Sequence, residues 1–213
     1  MKKGLNIIIN IVLFAIIVIL AMQVVKSIQA PIKFNTEQKS RETQVVERLI
    51  DIRNAEVLYK NANSKYTNSF DSLIQFCQNA EIPIVKIVPD PTDTTFTRTI
   101  NDTIGFVKVM DSLRGTRSNF NINDIKWVPF SQPQQQFELE AGSIPRNGIE
   151  IPVFEARTPY EVYLATPGAS FSEKEWKQRV DNVKAERESI NRYAGMKVGS
   201  MEEATTDGNW EKL

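Results

Sequence analysis

The spacing of hydrophobic positions changes three times along this chain. From Leu5 to Val25 the residues LNIIINIVLFAIIVILAMQVV are uncharged, and only the amides of Asn6, Asn10 and Gln23 interrupt the apolar run. A helix needs roughly 20 apolar residues to cross a hydrocarbon core, so this stretch predicts one transmembrane helix. From Thr36 to about Ala62 the spacing becomes two-faced. Val45, Leu49, Ile52 and Tyr59, flanked by Val46, Ile50, Val57 and Leu58, recur at three- and four-residue steps and predict an amphipathic helix with one broad buried stripe. The other face carries Glu37 with Arg41 and Glu56 with Lys60, acid-first pairs at four-residue spacing that suit an exposed helix surface. The stripe is wider than a two-position coiled-coil seam and covers few heptads, which favours packing on the chain's own domain. Pro31 lacks an amide proton and is expected to stop or bend the chain between the two helices, in a linker over 26–35.

A polar turn from Asn63 to Asn68 leads to a second helix, about Ser69 to Asn79, in which Phe70, Leu73, Ile74 and Cys77 fall at i, i+3, i+4 and i+7. Cys77 is therefore expected to face the core as a small buried hydrophobe. From Ile82 short runs rich in branched and aromatic residues alternate with Pro, Gly, Asn and Asp. Candidate strands are Ile82 to Val88, Thr94 to Ile100, Gly105 to Met110, Ile125 to Phe130, Gln135 to Ala141, Ile149 to Ala156 and Tyr160 to Ala165. Asn101 and Asp102 are placed as a tight hairpin turn, and Ser131 to Gln136 as a loop. Two helices followed by many strands predict an α+β fold, with amphipathic helices packed on an antiparallel sheet. A last helix opens with Ser172 as N-cap and Glu175 completing a capping box, and it runs to about Tyr193 with Trp176, Val180, Val183 and Ile190 as a narrow apolar line. Gly195 is expected as its stop, and 194–213 as a surface tail anchored by Trp210.

The basic start Lys2-Lys3 before the apolar run also fits a cleaved secretory signal, but a removable apolar region is only about 7 to 15 residues long. The best small-residue site ends at Ala30, with Ile28 two positions earlier and Pro31 immediately after. We read an uncleaved signal-anchor. Lys2 and Lys3 precede the span while Lys26, Lys33, Lys39 and Arg41 follow it, so flanking charge leaves the orientation open. Long domains translocate largely regardless of such charge, which places the N-terminus in the cytoplasm and the domain outside. The expected division is 1–4 cytoplasmic, 5–25 transmembrane signal-anchor, 26–35 linker, 36–193 extracytoplasmic α+β domain and 194–213 surface tail, in a single-pass protein of a bacterial inner membrane with its domain in the periplasm.

Composition removes whole classes of chemistry. The 213 residues hold 26 Lys plus Arg and 26 Asp plus Glu, so no net field draws the chain to nucleic acid. With one Cys and no His, an intramolecular disulfide, the usual zinc sites and His-based acid/base catalysis are excluded. Neither GxGxxG nor GxxxxGK[ST] occurs, so no phosphate-cradling loop and no cofactor is expected. Asp90, Asp93 and Asp102 offer oxygen ligands for calcium, yet their spacing matches no EF-hand and suits turns. No serine, lysine or carboxylate is singled out as catalytic. Asn6 and Asn10, four residues apart, share one helix face and are candidate assembly contacts across membrane helices; hydration at the interface is the competing reading.

The order of features from Lys2 to Phe76 resembles a type IV pilin or a type II secretion pseudopilin. Lys2-Lys3-Gly4 corresponds to the basic leader, Leu5 to Val25 to the hydrophobic half of the long helix and Arg41 to Lys60 to its amphipathic half. LYKNANSKYTNSFDSLIQF is similar to the Tyr, Asn, Tyr, Leu spacing at that helix's end. Ile9 stands where the family carries the Glu that neutralises a neighbouring subunit's N-terminal amine. The resemblance implies a pilin-like α+β fold and a non-enzymatic, membrane-anchored subunit of a bacterial envelope assembly, pilin-like or a bitopic scaffold, whose partners are the lipid bilayer, other envelope proteins or copies of itself. The alternative is an anchored extracytoplasmic module that binds a ligand or a protein; an anchored hydrolase using Ser/Lys or carboxylates comes third.

Overall fold

One helix dominates the architecture. In the computed structural model, which describes residues 2–89 and 99–211, α1 runs without interruption from Lys2–Asn63, 62 residues. At 1.5 Å per residue it is about 93 Å long. Its two halves differ in what surrounds them. From Asn10 to Ile32 nearly every apolar side chain faces outward, whereas Phe34, Val45, Leu49, Ile52 and Ala55 are buried. The segment 26–35, expected as a linker, is helical throughout, and Pro31 lies inside the helix. A proline in a helix interior costs about 3 kcal/mol. Three residues on, Phe34 enters an aromatic cluster, with ring centroids 5.0 Å from Trp176 and 6.3 Å from Phe171. Burying one such side chain contributes roughly 1.5–3 kcal/mol and its aromatic contacts a further 0.5–1.5 each, enough to offset the proline. The helix ends where Ser64 takes a left-handed φ of 60°.

α2 (Phe70–Asn79) forms as expected, capped by Ser69, whose hydroxyl accepts from the Ser72 amide, and it buries Phe70, Leu73, Ile74 and Cys77. β1 (Glu81–Pro89) and β2 (Thr99–Lys108) then pair antiparallel as a two-stranded ribbon, with a bulge at Ile84 and Val85. The expected strand beginning at Thr94 lies outside the described residues as far as Arg98. Asn101 and Asp102 are not a turn: they sit inside β2 opposite Ile87 and Lys86. Val109 and Met110, expected at the end of a strand, begin the short helix α3 (Val109–Arg114).

The segment Ile125 to Phe130 is not a strand either. A 3-10 turn over Ile122–Asp124 leads into it, and Ile122, Ile125 and Val128 are buried at three-residue steps. β3 (Glu138–Arg146) and β4 (Ile149–Pro159) form a hairpin whose two-residue turn is Asn147–Gly148, with φ of 53° and 80°. An Asn-Gly pair with both residues at positive φ is what the twist of such a hairpin requires. Beyond Pro159, Tyr160, Tyr163 and Leu164 are buried at i, i+3 and i+4, so the expected strand Tyr160 to Ala165 is instead the short helix α4 (Tyr160–Tyr163). α5 (Glu173–Ser189) carries the expected capping box between Ser172 and Glu175. It lies along α1 in the same direction, its start beside 23–33 and its end beside 35–42.

The tail is the largest departure from expectation. Gly195 does not merely follow a helix; it opens β5 (Gly195–Gly199), which joins β4 antiparallel and completes a three-stranded sheet ordered β3-β4-β5. Met196 and Val198 point into the core, while Lys197 points out and donates to Glu155 at 2.9 Å. Both glycines are required by close approach: a Cβ at Gly195 would meet the Thr158 carbonyl and one at Gly199 the Phe154 carbonyl, with Gly199 also at φ +76°. The chain is thus α+β, a long N-terminal apolar helix with two small antiparallel sheets. The core lies between the second half of α1, α2, α4, α5 and the inner face of β4 and β5.

Candidate functional site

Two charged residues of α1, expected on its exposed face, are buried instead. Arg41 forms its expected pair with Glu37 at 2.9 Å, but it lies within the domain. Its Nη1 donates to the Thr166 carbonyl at 2.8 Å and to the Tyr163 carbonyl at 3.3 Å, and its guanidinium lies over Trp176 and Phe130 at 5.0 and 5.3 Å. Arg41 thereby holds the α4–α5 connection and the Phe130 loop against one helix. Glu56 makes no pair with Lys60, which lies over the Tyr66 ring at 5.2 Å. It is 0% exposed: Oε2 accepts from the Thr67 amide at 3.1 Å and Oε1 has no partner. Burial raises its pKa to about 8, and the same environment raises Cys77 to about 12. A thiol held that high is not a nucleophile at neutral pH. Arg41 and Glu56 continue the stripe Phe34, Val45, Leu49, Ile52 at seven-, four- and three-residue steps, so the spacing that located the core also pointed to them.

A groove of about 750 Å³ lies between α1 and the segment from Thr116 to Gln134. One wall is the α1 face carrying Gln44, Glu47, Arg48 and Asp51; the other bears Phe120, Trp127 and Phe130. Its floor is tied by a bidentate pair: Arg117 Nη1 and Nη2 donate to Asp51 at 3.0 and 2.8 Å, and Nη2 also donates to the Leu113 carbonyl at 2.7 Å. The Asp51 hydrogen bond raises the pKa of Arg117 further, so the guanidinium stays charged and fixed. Ser131 lines the groove but commits its hydroxyl, which donates to the Val128 carbonyl at 2.8 Å and accepts from the Gln135 amide at 3.0 Å. The groove offers aromatic faces, amides and fixed charges. Phe130, exposed and at φ +63°, projects on its rim.

No single segment announces this groove, because it joins residues 44–51 to residues 116–134. Asn10 lies exposed on α1, and the backbone of Asn6 is in the same continuous helix one turn earlier. Of the three aspartates considered for calcium, Asp102 is in β2, and Asp90 and Asp93 lie outside the described residues. Among the described residues no three Cys, Asp or Glu side chains gather as a metal site.

Among the described residues one helix, α1, is long and apolar enough to cross a membrane. No protein-family model, no curated protein and no solved structure matches the chain.

Proposed function

We propose that this chain is a non-enzymatic, membrane-anchored structural or interaction subunit of a bacterial envelope assembly, pilin- or pseudopilin-like or a bitopic scaffold. In this reading Leu5 to Val25 spans the inner membrane once and the domain stands in the periplasm, working with copies of itself or with other envelope proteins. The observation that carries the reading is the continuity of α1. The same helix that exposes an apolar half becomes the spine of the domain core, with no flexible joint between them. A subunit that packs by its helix depends on such a continuous connection. The test is cross-linking of the full chain and of a chain lacking residues 1–25, each expressed in a bacterium with an inner and an outer membrane. Oligomers that form only with the full chain, in the membrane fraction, are the expected result; a monomeric full chain would sink the proposal.

The groove beside Asp51 and Arg117 favours a second reading, an anchored binding module. On that reading the truncated domain retains partner binding as a monomer, which the same pair of proteins distinguishes.

A further inference from the structure

Gln23, Lys26, Ala30 and Lys33 follow one another at steps of three, four and three, so they form a single face of α1. That face meets the start of α5 in a notch of about 310 Å³, lined also by Phe171, Glu175 and Arg179. Lys26 and Lys33 are exposed and Arg179 is half-buried, its guanidinium 5.6 Å from the Phe171 ring centre. Among the described residues none of these three cations has an ion-pair partner within 4.0 Å. The one acid in the notch, Glu175, is already engaged: its Oε2 accepts from the Ser172 amide at 3.4 Å and from the Ser172 hydroxyl at 3.1 Å. Those hydrogen bonds, with Lys26 and Arg179 beside it, hold Glu175 below the ordinary carboxylate range. Three cations thus converge on a space that holds one committed anion.

The position of the notch is as telling as its charge. Lys26 directly follows the apolar run and also borders a shallow apolar patch that Val18, Ala21, Met22 and Val25 form on the flank of α1 beside the notch. A basic recess next to an apolar surface matches a ligand with an anionic head and a hydrocarbon tail.

We propose that this notch binds the phosphate of an anionic phospholipid, held by Lys26, Lys33 and Arg179, with an acyl chain along Val18, Met22 and Val25. The proposal rests on the reading of Leu5 to Val25 as a membrane span. Binding there ties α5, and with it the domain, to the bilayer surface at a second point besides the helix itself.

Two measurements on the full chain separate the two ideas. Resistance to alkaline carbonate extraction from membranes reports on the span alone; release by carbonate would overturn both. Native mass spectrometry from micelles holding equal phosphatidylglycerol and phosphatidylcholine reports on the notch. Wild type is expected to retain one phosphatidylglycerol with about fivefold preference, and the K33Q/R179Q double variant to lose it. K26Q alone, with an unchanged thermal midpoint, guards against a folding defect and should lower the preference in part. Equal retention of the two lipids by wild type, or undiminished preference in both variants, would overturn the proposal. So would displacement of the lipid by millimolar inorganic phosphate, which would assign the notch to a soluble anion.

Discussion

β1 and β4 are both rich in branched residues, yet the two sheets they belong to use those residues in opposite ways. In β4, Phe154 and Ala156 are buried in the core, and on the opposite face Arg157 pairs with Glu138 and Glu140 at 2.7 Å and with Glu155 at 2.9 Å. One face is core and the other a ladder of charges. The outer edge of β5 is covered too: Asn209 exchanges hydrogen bonds with the backbone of Lys197 and donates its side-chain amide to the Gly195 carbonyl at 2.9 Å. In the β1–β2 ribbon, by contrast, Ile87 is 69% exposed, Phe106 66% and Ile104 62%. A two-stranded ribbon is marginal by itself, and this one is held to the body chiefly where Val109 N–H bonds to the Ala80 carbonyl and α2 and α3 flank its base. Hydrophobic content alone therefore does not decide which strands build the core. What decides is whether the rest of the chain returns to cover them, and β5 returns to one sheet only.

The largest test of that difference is Gly199→Ala. The added methyl group would collide with the Phe154 carbonyl while the backbone is held at φ +76°, so a loss of about 3 kcal/mol or more is expected in the urea midpoint. A change of less than 1 kcal/mol would mean that β5 is not integral to the sheet.

An effect graded by pH is expected beneath the core face of β4, where Phe154 lies 4.7 Å from Tyr66 and Tyr66 neighbours Glu56. Because burial raises the Glu56 pKa from 4.5 to about 8, the folded chain holds this proton over a range in which the unfolded chain has lost it. Stability is therefore greatest below about pH 4.5 as far as this group is concerned. It falls by up to 1.4 kcal/mol per pH unit as pH rises towards about 8, and is flat above. Glu56→Gln should remove that decline, so that the two proteins diverge as pH rises when their thermal midpoints are compared from pH 5 to pH 9. Parallel curves would mean Glu56 is charged in the fold.

The smallest effect belongs to the ribbon. Ile87→Ser replaces a side chain that already faces outward, so the thermal midpoint of the body should shift by no more than about 0.5 kcal/mol equivalent. A large shift would show that the ribbon is covered by something bound to it.

How far the sequence revealed this fold depends on the range of the interaction concerned. The helical state of the apolar run, α2 with its buried Cys77, and the Ser172–Glu175 capping box are set by neighbours within one or two turns, and these local features are present in the fold. Arg41 and Glu56 were misread because acid-first pairing suggested a solvent face, although both lie on the apolar stripe. Asn147–Gly148 is a stronger hairpin signal than Asn101–Asp102, because both of its residues accept positive φ, and it is the turn that forms. β5 is only five residues long, and its Met-Lys-Val alternation between two glycines means little until β4 is beside it. The groove had no local signature, since Asp51 and Arg117 meet only through the packing of α1 against the chain beyond α3.

The unbroken passage of α1 through Pro31 has a mechanical consequence. From Lys26 to Asn63 the helix extends about 57 Å at 1.5 Å per residue, continuous with the apolar half. With that half held in a bilayer, a tilt of about 20°, ordinary for a membrane helix, would carry Asn63 sideways by about 20 Å. Anchored in this way, the domain would be the arm of a lever whose fulcrum is the lipid surface: a small change of helix angle, from bilayer thickness or a neighbouring helix, would become a large displacement at the far end.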